Sequence, residues 1–147
     1  MFRFLVVLFF IGTWIHAAEI VPIEQDDSRV TPDFAALGQM HQVAGLIWSG
    51  VALNTMNYTD AIRFCKTLGG KARLPTKEDW IHLGRVMTRQ SEIFNPELFP
   101  GMKDRWFWCF SGNRYDAGIA FYFNGDNGEI NYTLRNISGW VRCVRGV

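Results

Sequence analysis

Residues 4–15 form an unbroken apolar run behind Arg3, with small residues at Ala17 and Ala18. A spanning helix needs about 20 apolar residues, so the pattern predicts a secretory signal peptide over 1–18, cleaved after Ala17 or Ala18. Residues 19–42 are polar, carry Pro22, Pro32 and the acidic pair Asp26 and Asp27, and show no period. They read as a flexible leader. Apolar positions return at residue 43, where AGLIWSGVAL is short and glycine-bounded, as a buried strand should be. Ala61, Ile62, Cys65 and Leu68 then recur at helical spacing behind Asn57 or Thr59, either of which can cap the helix, and Gly69 and Gly70 end it.

A second helix is expected after Pro75. Thr76 can cap its first turn and Asp79, three residues on, completes a capping box, while Trp80, Leu83 and Met87 supply the buried face. A loop punctuated by Pro96, Pro100 and Gly101 leads to the strand pattern Arg105-Trp106-Phe107-Trp108. In GIAFYFNGDNGEINYTL two alternating runs flank residues that accept positive φ, which predicts a hairpin at 118–134. A final strand is expected around Trp140 to Val144.

The 147 residues include 12 Phe, 6 Trp and 4 Tyr, which together with the short periods favours a strand-rich domain over a helical bundle. The chain carries 15 basic and 14 acidic residues, and Arg3 leaves with the signal peptide, so the mature chain is formally neutral. That balance gives no electrostatic footprint for nucleic acid. What remains after cleavage is enough for one domain and has no expected membrane span.

The strings GLIWS at 45–49, AIRFCKTLGG at 61–70, ARLPTKEDW at 72–80, RWFW at 105–108, AFYFNGDNGEI at 120–130 and WVRCV at 140–144 occur in a specific order and spacing. Together they resemble the Lcl C-terminal domain family, formerly DUF1566, over residues 43–147. The RLPT-helix element and the closing RCV also resemble the formylglycine-generating (sulfatase-modifying factor) family, and both families are similar to the C-type lectin fold. The resemblance implies an α+β, C-type-lectin-like domain with two helices packed on a twisted antiparallel sheet, and a bacterial source. It also implies a Cys65–Cys143 disulfide, consistent with an oxidising secreted or periplasmic location. The sequons at Asn57, Asn131 and Asn136 are then chance matches.

Cys109 is left over. In WFWCFS its aromatic neighbours predict a buried, inert thiol. Cys109 and Phe110 stand where the resembled family commonly has small polar residues. No residue is assigned a catalytic or metal-binding role: His41 falls in the leader and His82 on the second helix, each without a nucleophile or carboxylate at motif spacing. The lectin motifs Glu-Pro-Asn, Gln-Pro-Asp and Trp-Asn-Asp do not occur. Asn124, Asp126, Asn127, Glu129 and Asn131 gather oxygens that calcium prefers, although a tight turn demands the same residues. Tyr122 and Tyr132, placed together on the hairpin's outward face, could stack on a sugar while Phe121 and Phe123 face the core. Arg73 and Arg142 are expected to fix the fold.

The expectation from sequence is a secreted or periplasmic non-catalytic module for a glycan or other envelope ligand, with no required cofactor and calcium as the one candidate. The alternatives are a sulfatase-modifying-factor-like oxidase using a reactive Cys109, or a structural envelope domain that meets a protein partner.

Overall fold

A computed structural model describes residues 20–22, 34, 37–88, 93–110 and 118–147. The expected signal peptide and much of the expected leader lie outside them. The described chain is an α+β domain of two helices and two antiparallel sheets.

The first helix, α1 (Tyr58–Thr67), begins where Asn57 accepts the Asp60 amide hydrogen through its side chain at 2.9 Å and donates its own Nδ2 to the Asp60 carboxylate at 2.7 Å. This reciprocal cap satisfies an amide that the helix cannot. Tyr58, Ala61 and Cys65 are buried on one face, and Gly69 and Gly70, at φ 71° and 57°, stop the helix in a conformation that suits glycine. The second helix, α2 (Lys77–Thr88), carries the capping box expected of it. Asp79 N donates to Thr76 Oγ1 at 3.2 Å, and Thr76 N donates to the Asp79 carboxylate at 2.8 Å. Trp80, Leu83 and Met87 are its buried residues.

One sheet runs in the order β1 (Val21–Pro22), β2 (His41–Val43), β3 (Leu46–Trp48) and β7 (Val144–Gly146). The other is β4 (Trp106–Trp108), β5 (Ile119–Asn124) and β6 (Ile130–Leu134). The single twisted sheet expected from sequence is therefore two. The apolar stretch from residue 43 also divides differently. Ala44 and Gly45 take φ of 51° and 76° and form a two-residue turn, so His41–Val43 becomes a strand paired with Leu46–Trp48. The described parts of the expected leader are attached to the domain: β1 pairs with β2, and Phe34 is completely buried.

The last segment ties these pieces together. Ser49 N and Ala52 N donate to the carbonyls of Cys143 and Val141, while Trp140 exchanges backbone hydrogen bonds with Trp106 and Trp108. Val144 bonds Arg73 in both directions at 2.9 Å. The implied disulfide, Cys65 to Cys143, is present and fastens α1 to this strap. Closing a loop across a separation of 78 residues restricts the unfolded chain by about 4.5 kcal/mol in the entropic description. Two apolar clusters result, one under α1 around Tyr58, Ala61, Cys65 and Trp108, and one under α2 around Trp80, Phe107 and Phe123.

Candidate functional site

The loop before β4 is shaped by its own side chains and by one buried arginine. Asn95 caps a short 3-10 helix, Pro96–Leu98, by accepting the Glu97 amide hydrogen at 3.0 Å. Phe99 and Met102 then drop into the α2-side core at 0% and 1% exposure. From the strap, Arg142 reaches beneath the loop. Its Nη1 donates to Ser49 O at 2.7 Å, its Nη2 donates to Pro100 O, and its guanidinium lies 4.4 Å over the Phe99 ring. Burial and the neighbouring Arg105 charge lower the Arg142 pKa to about 9, which leaves the guanidinium charged at neutral pH. This agrees with the structural role expected of it. Arg73 acts similarly at the edge of α2, donating to Asp79 at 2.6 Å.

Gly101 is required here. At φ 75° it lies in left-handed space, and a Cβ would come within 3.0 Å of Arg105 Nη1 and Val51 Cγ2. Arg105 Nη1 instead donates to Gly101 O at 2.9 Å, and the guanidinium sits 4.6 Å over the Trp140 ring. The loop is clasped to the turn between β5 and β6, because Asp104 N donates to Asp126 Oδ1 and Gly125 N to Arg105 O, both at 2.8 Å. Between the loop and Trp140 lies a groove of about 490 Å³ bordered by Glu97, Pro100, Lys103, Arg105 and Trp140. Lys103 and Glu97 approach to 3.8 Å at its exposed rim. The groove thus combines an aromatic ring with charged groups of both signs on a fixed floor. That mixture suits an amphipathic ligand.

The residues expected to bind from sequence are dispersed. Asn124 Oδ1 accepts the Asp126 amide hydrogen at 2.8 Å, Asn127 Oδ1 accepts that of Glu129 at 3.0 Å, and Asn127 Nδ2 donates to Glu129 Oε2 at 3.1 Å. Their geometry is that of a turn. The register corrects the placement of the tyrosines. Tyr122 stands opposite Asn131, whereas Tyr132 stands opposite Phe121, so the two tyrosines occupy opposite faces. Tyr122 packs against Trp106 with ring centroids 5.1 Å apart, and Tyr132 is 68% exposed. Both faces of the sheet are used, because Trp108 joins the α1-side cluster and Phe123 the α2-side cluster. Asn127 instead lines a second hollow of about 500 Å³ with Ile81, Arg85 and Phe94. Sequence reasoning missed Arg105 and Trp140, whose adjacency depends on the loop closing over the strap.

Cys109 is completely buried beside Phe107 and Trp80 in the α2-side cluster, and burial pushes its thiol far above the ordinary range. His41 was expected in a mobile leader but is 4% exposed, with its ring 5.0 Å from Phe99. Burial and the Arg142 charge lower its pKa. His82 is exposed on α2. Among the described residues no group of three or more His, Cys, Asp or Glu could hold a metal ion, and no helix is long and apolar enough to cross a membrane.

The family model described as the Lcl C-terminal domain matches residues 39–145, from just before β2 to within β7. The chain belongs to the Lcl C-terminal domain family. This family domain includes the groove, the strap and both disulfide cysteines. No curated protein matches the sequence. Among solved structures, botrocetin is similar at a TM-score of 0.50 and 12% identity, over 74% of this chain and 96% of that one. EMS16, described as an antagonist of collagen receptor integrin alpha2beta1, has a TM-score of 0.45 and 11% identity over 74% and 97% of the two chains. Botrocetin places the fold of this family member among the C-type-lectin-like domains. The likeness to the sulfatase-modifying factors rests on the sequence strings alone.

Proposed function

We propose that this domain is a secreted or periplasmic, non-catalytic binding module, and that it takes a glycan or another extracellular or envelope ligand in the groove between residues 96–105 and Trp140. The observation that carries this reading is the Arg105 and Trp140 pair above a floor held by Arg142. The ring offers an apolar surface, and the guanidinium offers a planar fork of donors suited to hydroxyl or carboxylate oxygens. Asp126 and the Gly125 amide support the site from behind by holding residues 104–105. The side-chain hydrogen bonds of Asn124, Asn127 and Glu129 are those of a turn. The oxidase alternative needs an accessible, acidified thiol, and the burial of Cys109 favours the opposite.

The test is a glycan array probed with the secreted chain, followed by calorimetry of the best ligand against Arg105→Ala. Binding is expected to weaken about tenfold or more, equivalent to about 1.4 kcal/mol. Unchanged affinity in Arg105→Ala would remove the groove from the account. A second reading, a protein-interaction domain, is favoured by one separate observation, the exposed apolar residues along β6.

A further inference from the structure

Strand β6 pairs with β5 alone among the described strands and forms one edge of its sheet. At the ends of that ladder Asn124 N donates to Glu129 O at 2.8 Å and Arg135 N to Gly118 O at 2.9 Å. Antiparallel pairs alternate, so the odd-numbered residues of β6 bond β5 while Ile130, Tyr132 and Leu134 direct their backbone groups toward the open side. Leu134 O also accepts the Ile137 amide hydrogen at 3.4 Å. Tyr132 is 68% and Leu134 55% exposed.

Edge strands are ordinarily blunted by a charge, a proline, a bulge or a covering element. Residues 130–134, Ile-Asn-Tyr-Thr-Leu, contain neither charge nor proline, and their five-residue pairing with β5 is unbroken by a bulge. The order of chemical types is also symmetric about Tyr132. From Glu129 to Arg135 it reads acid, apolar, polar, Tyr, polar, apolar, base. An antiparallel strand of the same sequence, centred on the same tyrosine, therefore sets Ile130 against Leu134 and Asn131 against Thr133.

We propose that β6 is a self-association edge, at which two copies of this chain pair antiparallel about a two-fold axis at Tyr132 to make one continuous six-stranded sheet. An isologous contact requires a self-complementary patch, and this sequence order supplies one. The inference is independent of the groove and survives if no glycan binds there.

Sedimentation of the secreted chain over a concentration series is expected to show a monomer–dimer equilibrium. Tyr132→Lys places like charges opposite each other at the axis and should weaken the dimer at least tenfold, with the far-ultraviolet spectrum of the monomer retained. Under mild oxidation, Tyr132→Cys should give covalent dimers, because directly opposed hydrogen-bonded residues lie about 5.5 Å apart between Cα atoms, within disulfide reach. Asn131→Cys, which faces Thr133 of the other copy, should not. A chain that stays monomeric throughout the series overturns the proposal and leaves the edge to a strand of another protein. A dimer indifferent to Tyr132→Lys, or equal cross-linking from positions 131 and 132, overturns it as well.

Discussion

The two helices are held against the domain by different physics. α1 presents small side chains, Ala61 and Cys65, which let it approach the strap closely enough for the Cys65–Cys143 bond. α2 presents Trp80, completely buried, with its ring stacked 4.7 Å from Phe123, set edge-on to Trp48 at 4.9 Å and tilted against Phe107 at 5.4 Å. The Trp80 indole also donates to Trp108 O at 3.3 Å. In the entropic description the cross-link on the α1 side acts through the unfolded chain, whereas the rings on the α2 side act only in the native state. Phe99 and Met102, which anchor the groove loop, belong to the α2-side cluster. Damage there should reach the groove, whereas loss of the cross-link should not alter its native shape.

The strongest way to break this contrast is Trp80→Ala. Deleting a buried tryptophan costs about 3–5 kcal/mol, and denaturant unfolding should register that loss together with weakened ligand binding. Replacing both Cys65 and Cys143 by alanine should lower stability by about 2–5 kcal/mol. The molecules that remain folded should bind with unchanged affinity, as calorimetry below the melting range would record. Acidification is the mildest probe. The folded-state pKa of His41 lies below its ordinary 6.5, so the unfolded chain takes up its proton first as pH falls. Stability should decline as pH drops below about 6.5 toward the lower folded-state value, and His41→Phe should remove that component of the pH slope. The affected region should be the Phe99 loop, since His41 and Arg142 both pack on that ring.

The helices were legible because their signals are local. Asn57 and Thr76 cap within three residues, and Trp80, Leu83 and Met87 mark a face by spacing alone. The disulfide came from the resemblance, since three cysteines alone leave the pairing open. The β2 hairpin was hidden because Ala44 adopts positive φ, a conformation its side chain does not advertise. Three-residue strands likewise carry too little alternation to reveal that they belong to two sheets. The groove was least visible of all. Arg105 and Trp140 stand far apart in sequence, and only the strap beneath Gly101 brings them together. Tyr122 and Tyr132 fall on opposite faces because the turn sets Tyr132 opposite Phe121, a register that alternation within each strand does not fix.

The most direct test of the binding account is amide and indole chemical-shift mapping of the labelled domain titrated with the best array ligand. The account predicts saturable shifts at the Trp140 indole and at the amides of Gly101, Lys103 and Arg105, with β6 unmoved. Shifts confined to residues 130–134, or absent from the loop at saturating ligand, would contradict it.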